Sequence, residues 1–178
     1  MIRKVETWQD GGEPAIADHV ELIAEDGNTS LVAVLPWIRE KSVDRYMRKG
    51  YEVLVYEYRL PFNPYSVVMA ARSQLGHPYG TRSLFLHLGD ALFRTDYFTL
   101  RYSGERAKNC SQLTGYAFEQ GAGITFNGTA WKSLTPDDML DHVTTHPELW
   151  RKIGHYIDGK SLASILQAAT QIESMVRG

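Results

Sequence analysis

Lys108-Asn109-Cys110-Ser111-Gln112-Leu113-Thr114-Gly115-Tyr116-Ala117-Phe118 carries the single cysteine of a 178-residue chain, and the rest of the sequence is organised around it. A polar, irregular stretch, Ser103 to Lys108, gives way here to a helical pattern. Asn109 is suited to cap that helix, because its side-chain oxygen can accept from an unpaired amide of the first turn. Leu113, Thr114 and Ala117 then share a side with the thiol, and Gly121 is expected to end the helix. A thiol on a first turn faces the positive end of the helix dipole and free backbone N–H groups. Both favour the thiolate, which is the nucleophile. The competing reading is a small buried hydrophobe, a common use of free cysteine.

Composition narrows the function classes. With 19 basic and 21 acidic residues the charge is nearly balanced, and no basic block is interleaved with aromatics, so a nucleic-acid partner is not expected. One cysteine rules out an intramolecular disulfide framework. The start, Met1 to Glu6, is basic but lacks the apolar run of a signal peptide, and no stretch is long and apolar enough to span a bilayer. The expectation is a protein synthesised in the cytoplasm as one domain with ample chain for a core.

Working outward, Asp18-His19-Val20-Glu21-Leu22-Ile23-Ala24 is short, partly alternating and rich in β-formers. Glu25-Asp26-Gly27-Asn28 is a turn, and Thr29 to Leu35 is the returning strand of a hairpin. With Glu25 facing Asn28, His19 falls opposite Val34. His19, Glu21 and Ile23 then share a face with Val32 and Val34. Pro36 ends that strand. A short helix is expected over Ser42 to Lys49 and a third strand over Tyr51 to Tyr58. Asn63-Pro64 opens a helix closed by Gly76, followed by the tight loop Gly76-His77-Pro78-Tyr79-Gly80. Thr81 to Phe93 has helical spacing, whereas Tyr97 to Tyr102 alternates weakly and is left unassigned. Thr135-Pro136-Asp137-Asp138 starts another helix, with a cap and an acid three positions on. Two further helical patterns are read over Glu148 to Ile157 and Ser161 to Val176, the second amphipathic. Its polar face lacks the lysines and arginines of a membrane-surface helix, so it is expected to pack on the domain or on a partner.

A cysteine nucleophile needs a base to take or share its proton, usually histidine. Of six histidines, His19 lies on a predicted strand, a rigid position from which an imidazole can meet a thiol on a packed helix. His142 and His146 have the spacing of a helical zinc pair. Pro147 pushes His146 out of helical geometry and no HExxH pattern is present, so no metal is expected.

These residues carry a resemblance. The His-Val-x-Leu-Ile strand, the Asp-Gly turn and an Ala shortly before Pro look like the histidine hairpin of NlpC-type papain-like cysteine peptidases. The Gly-x-Pro-Tyr loop followed by Cys-Ser-x-Leu is similar to that superfamily's nucleophile segment. Histidine precedes cysteine here, as in the circularly permuted branch that includes lecithin:retinol acyltransferase-like enzymes. The resemblance covers residues 17 to 142 in pieces. It implies an α+β papain-like fold, with a small antiparallel sheet packed on helices. Residues 1–146 would form the catalytic domain, and 147–178 a helical extension packed on it.

It also implies that Cys110 is the nucleophile and His19 the general base. The family's imidazole-orienting residue falls at Val32, which cannot accept a hydrogen bond, so Glu21 or Ser30 is the candidate substitute. Gln112 stands where permuted members more often have an acid. Tyr79 would border the cleft and could assist the Cys110 N–H in holding an oxyanion. The implied activity is hydrolysis of an amide without a cofactor, on a cell-wall peptide, by an enzyme that is phage-encoded or delivered to the envelope. The alternatives are an acyltransferase or thioesterase using the same dyad on an acyl chain, and an inactive papain-like binding or virion protein.

Overall fold

A computed structural model describes residues 19–47, 52–95, 97–102 and 107–157. It is an α+β structure with two small antiparallel sheets. The first is a meander of β1 (Leu22–Ile23), β2 (Thr29–Val34) and β3 (Trp37–Ser42). Leu22 pairs with Leu31 and Ile23 with Ser30, the same register as the turn count gives. Asp26 fixes that turn: Oδ1 accepts from the amides of Asn28 and Thr29, and Oδ2 from the Thr29 hydroxyl.

Strand β3 lies where no strand is expected from the sequence. Ile38 is its one fully buried residue, so an otherwise polar edge strand gives almost no alternating signal. The helix expected over Ser42 to Lys49 is short where described, α1 (Asp44–Met47); residues 48–50 lie outside the described set.

The strand expected at Tyr51 to Tyr58 is present as β4 (Glu52–Tyr58), but it does not join the meander. It pairs with β5 (Trp150–Ile157), where a helix is expected. This corrects the reading of Glu148 to Ile157. Leu149, Ile153 and Ile157 are four apart, which mimics a helical stripe. The segment is also rich in aromatic and β-branched residues with Gly154 inside, and an available partner strand decides the outcome. Residues 150–157 therefore complete a sheet with 52–58 rather than form part of a helical extension. The amphipathic pattern of Ser161 to Val176 lies outside the described residues.

Helix α2 (Pro64–Arg72) starts on Asn63, whose side chain accepts from the Tyr65 amide. Helix α3 (Thr81–Phe93) forms as its spacing predicts. The unassigned Tyr97 to Tyr102 is helix α4, its start tied to α3 by the Phe98 amide donating to Asp90 Oδ1 at 2.8 Å. Helix α5 (Cys110–Ala122) runs through the centre and packs on α2 and β2. Helix α6 (Pro136–Thr145) begins on Thr135 with Asp138 closing the capping box. Gly121 does not end α5; Gly123, at φ 68°, does.

The core joins Leu31 and Ala33 of β2, Val67, Val68 and Ala71 of α2, and Leu113, Ala117 and Phe118 of α5. Phe126, Leu134, Met139 and Trp150 extend it. β2 is buried on both faces, since Ser30 and Val32 are as inaccessible as Leu31 and Ala33. No helix among the described residues is long and apolar enough to cross a membrane.

Candidate active site

The segment around Cys110 is built by local hydrogen bonds. Asn109 Oδ1 accepts from the Gln112 amide at 2.9 Å and from Ser111 Oγ at 3.0 Å. Gln112 Oε1 accepts from the Asn109 amide at 3.1 Å, closing a reciprocal cap. Ser111 Oγ donates to the Leu134 carbonyl at 2.6 Å, and Gln112 Nε2 to the Lys132 carbonyl. Gln112 thus both accepts and donates; a carboxylate could accept from Asn109 but could not donate to Lys132. Cys110 is thereby fixed at the first position of α5, and it is 4 % exposed. That burial alone would suit an inert thiol as well as a nucleophile.

The loop before α3 is stitched to both neighbours. The Tyr79 amide donates to the Pro36 carbonyl at 2.9 Å, Tyr79 forms a bridge with Lys108, and the Gly80 amide donates to the Lys108 carbonyl. The loop therefore ties the end of the β2–β3 hairpin to the residues just before Cys110. The Tyr79 ring is half-buried against the core.

His19 lies three residues before β1 rather than on the strand expected for it, and Cys110 is among the groups that act on its imidazole. His19 Nε2 donates to Glu21 Oε1 at 2.9 Å. The Glu21 carboxylate is nearly buried, its side chain 9 % exposed. Ser30 Oγ donates to its other oxygen, Oε2, at 2.6 Å. Arg45, from α1, donates through Nη2 to Oε1, the oxygen that also receives the imidazole. Val32 is fully buried on the same strand as Ser30. Nothing in the sequence pattern singles out Arg45, because only the folding of α1 beside β1 brings it near Glu21.

Burial opposes a charge on the His19 ring. Hydrogen bonds to Cys110 and Glu21, with Coulombic attraction to both, outweigh it and raise the pKa from 6.5 to about 9. A folded-state pKa above the unfolded value stabilises the fold fully below about pH 6.5 and loses that contribution as the pH rises through about 9. The melting-temperature gap between the unsubstituted chain and His19→Gln is accordingly expected to be wide at pH 6 and to close by pH 10, as thermal melts followed by circular dichroism would show.

The other two histidines considered above also meet, despite Pro147. The rings of His142 and His146 lie 4.4 Å apart, with His146 capping α6. His142 is buried beside Phe126, its Nδ1 2.7 Å from Asn127 Oδ1. Burial first, then the neighbouring His146, pushes its pKa down. Among the described residues no group of three His, Cys, Asp or Glu side chains converges as a metal site would require. Compared with protein-family models, curated proteins and solved structures, the chain matches none.

Proposed function

We propose that this chain is a cysteine hydrolase of the permuted papain-like kind, cleaving an amide bond in a cell-wall peptide. The observation that carries the reading is the His19 imidazole bonded to the nearly buried Glu21 carboxylate, with Cys110 acting on the same ring to hold it protonated. The thiolate adds to the carbonyl carbon, and the helix-start N–H of Cys110 faces the developing oxyanion, with Tyr79 on the adjoining loop. Collapse breaks the C–N bond as the imidazolium gives its proton to the leaving amine. The neutral imidazole then takes a proton from water, which attacks the thioester and frees the acid and Cys110. Glu21 fills the orienting role that Val32 cannot. The peptide substrate and action at the envelope rest on the motif resemblance.

A second reading, an acyl-chain substrate processed by the same pair, has one observation in its favour. The α3–α4 hairpin exposes Phe85, Leu92, Phe93, Tyr97 and Leu100, with Phe93 71 % exposed. Its chain leaves Gly80 and returns at Lys108, where those two residues are hydrogen-bonded beside the nucleophile. Exposed apolar side chains on that hairpin suit a hydrophobic acyl group.

The test is to incubate purified peptidoglycan with the protein and with Cys110→Ala, and to analyse released peptides by mass. New peptide termini that need Cys110 are expected. Turnover of an acyl ester with no new termini would favour the second reading. Iodoacetamide should also modify Cys110 in the folded protein near neutral pH. Modification only on unfolding, with no turnover of either substrate, would leave a papain-like binding protein instead.

A further inference from the structure

We infer that Arg45 is a positioning residue that sets how tightly Glu21 holds the His19 imidazolium, by competing with the imidazole for one carboxylate oxygen. This rests on the reading of His19 and Cys110 as the reacting pair. Among the described residues, Cys110 from α5 and Glu21 on its own segment act on the ring, and Arg45 from α1 acts through Glu21. Ser30 of β2 occupies Glu21 Oε2. His19 Nε2 and Arg45 Nη2 both go to Oε1.

Two cations on one oxygen repel each other and divide its charge, so each weakens the other's hold. The consequence is chemical. His19 must release a proton to the leaving amine and then, as a neutral base, accept one from water. An imidazolium held by the full charge of a nearly buried carboxylate would keep its proton too well for the second step. Arg45 draws off part of that charge while keeping Glu21 ionised. The guanidinium also bonds the Ser42 carbonyl at the end of β3, which fixes its approach.

The proposal predicts opposite signs for the two halves of the Arg45–Glu21 pair. The His19 pKa, read by NMR titration of its imidazole in the full chain, is expected to rise by roughly half a unit to one unit in Arg45→Met or Arg45→Gln. It is expected to fall toward 6.5 in Glu21→Gln and to stay near the starting value in Arg45→Lys. In the Arg45→Met protein the acyl-enzyme should accumulate, because deacylation slows more than acylation.

A merely structural Arg45 would behave otherwise. Its loss would loosen Glu21, and the His19 pKa would fall as it does in Glu21→Gln. A fall or no change in the neutral variants would therefore overturn the proposal. If Arg45→Met does not fold, the titrations of Arg45→Gln and Arg45→Lys decide. A His19 pKa near 6.5 in the unsubstituted chain would sink the reacting pair and this proposal together. A value near 9 that does not rise when Arg45 is neutralised would sink this proposal alone.

Discussion

Replacing His19 with alanine is expected to slow amide hydrolysis by roughly a thousandfold, within the range usual for a positioned general acid–base. In the proposed hydrolysis the imidazole serves both chemical steps: it protonates the leaving amine, and it activates water against the thioester. A thiol can attack without much help, but an amine leaving group cannot depart unprotonated, so acylation suffers first. The fold should survive, because the His19 side chain is 30 % exposed and its removal opens no sealed cavity. Steady-state kinetics at several pH values, with circular dichroism as a control, would check this. The proposed activity of the unsubstituted chain should decline as the pH rises through about 9, where the His19 imidazolium is lost. Glu21→Gln should move that decline to lower pH and reduce activity less than His19→Ala, since an amide can still hold the ring but carries no charge. Retention of full activity by His19→Ala would remove His19 from the chemistry.

The second large effect is on stability. Gly121→Ala is expected to cost about 3 kcal/mol, near the upper end for overpacking a core. A Cβ at Gly121 would lie 2.5 Å from Val67 Cα, 2.6 Å from Val67 N and 2.7 Å from the Ser66 carbonyl oxygen. These are backbone atoms of α2, so no rotamer change relieves the clash and the two helices must separate. The melting temperature should fall by roughly 6–12 °C, given about 2–4 °C per kcal/mol for a chain of this size. Gly121 is eleven residues along α5 from Cys110, about 16 Å at the helical rise. The folded fraction should therefore keep its rate of Cys110 alkylation. Gly115→Ala meets a side chain instead, Leu134 Cδ1 at 2.4 Å, with Trp131 Cβ at 3.2 Å. Leu134 can turn partly aside, so a smaller loss is expected there. A Gly121→Ala protein melting with the unsubstituted chain would show that α2 and α5 are not so closely apposed.

Local chemistry determined a good part of this molecule from sequence alone. The Asp26-Gly27 turn, the hairpin register that follows from it, and the Asn109 and Thr135 caps are short-range effects. Each depends on residues within a few positions of one another. The helices starting at Pro64, Thr81, Cys110 and Pro136 were legible for the same reason. The placement of β4 and β5 was not, because strand pairing across ninety residues of chain leaves no local mark, and Trp150–Ile157 satisfies a helical spacing until Glu52–Tyr58 lies beside it. Gly121 read as a terminator because glycine ends helices, whereas it is a contact with the α2 backbone that excludes a side chain there.

At the site, sequence order nominated Cys110, His19 and the substitutes for Val32. Their arrangement follows from tertiary packing. Packing of α5 on β2 places Cys110 among the groups that act on the imidazole, Glu21 bonds the ring from two residues along, and α1 delivers Arg45 to the same carboxylate. Caps and turns are fixed by hydrogen bonds between near neighbours, which a sequence displays. The charge on His19 is set by groups from separate elements converging in a partly desolvated space, which exists only once the chain has folded.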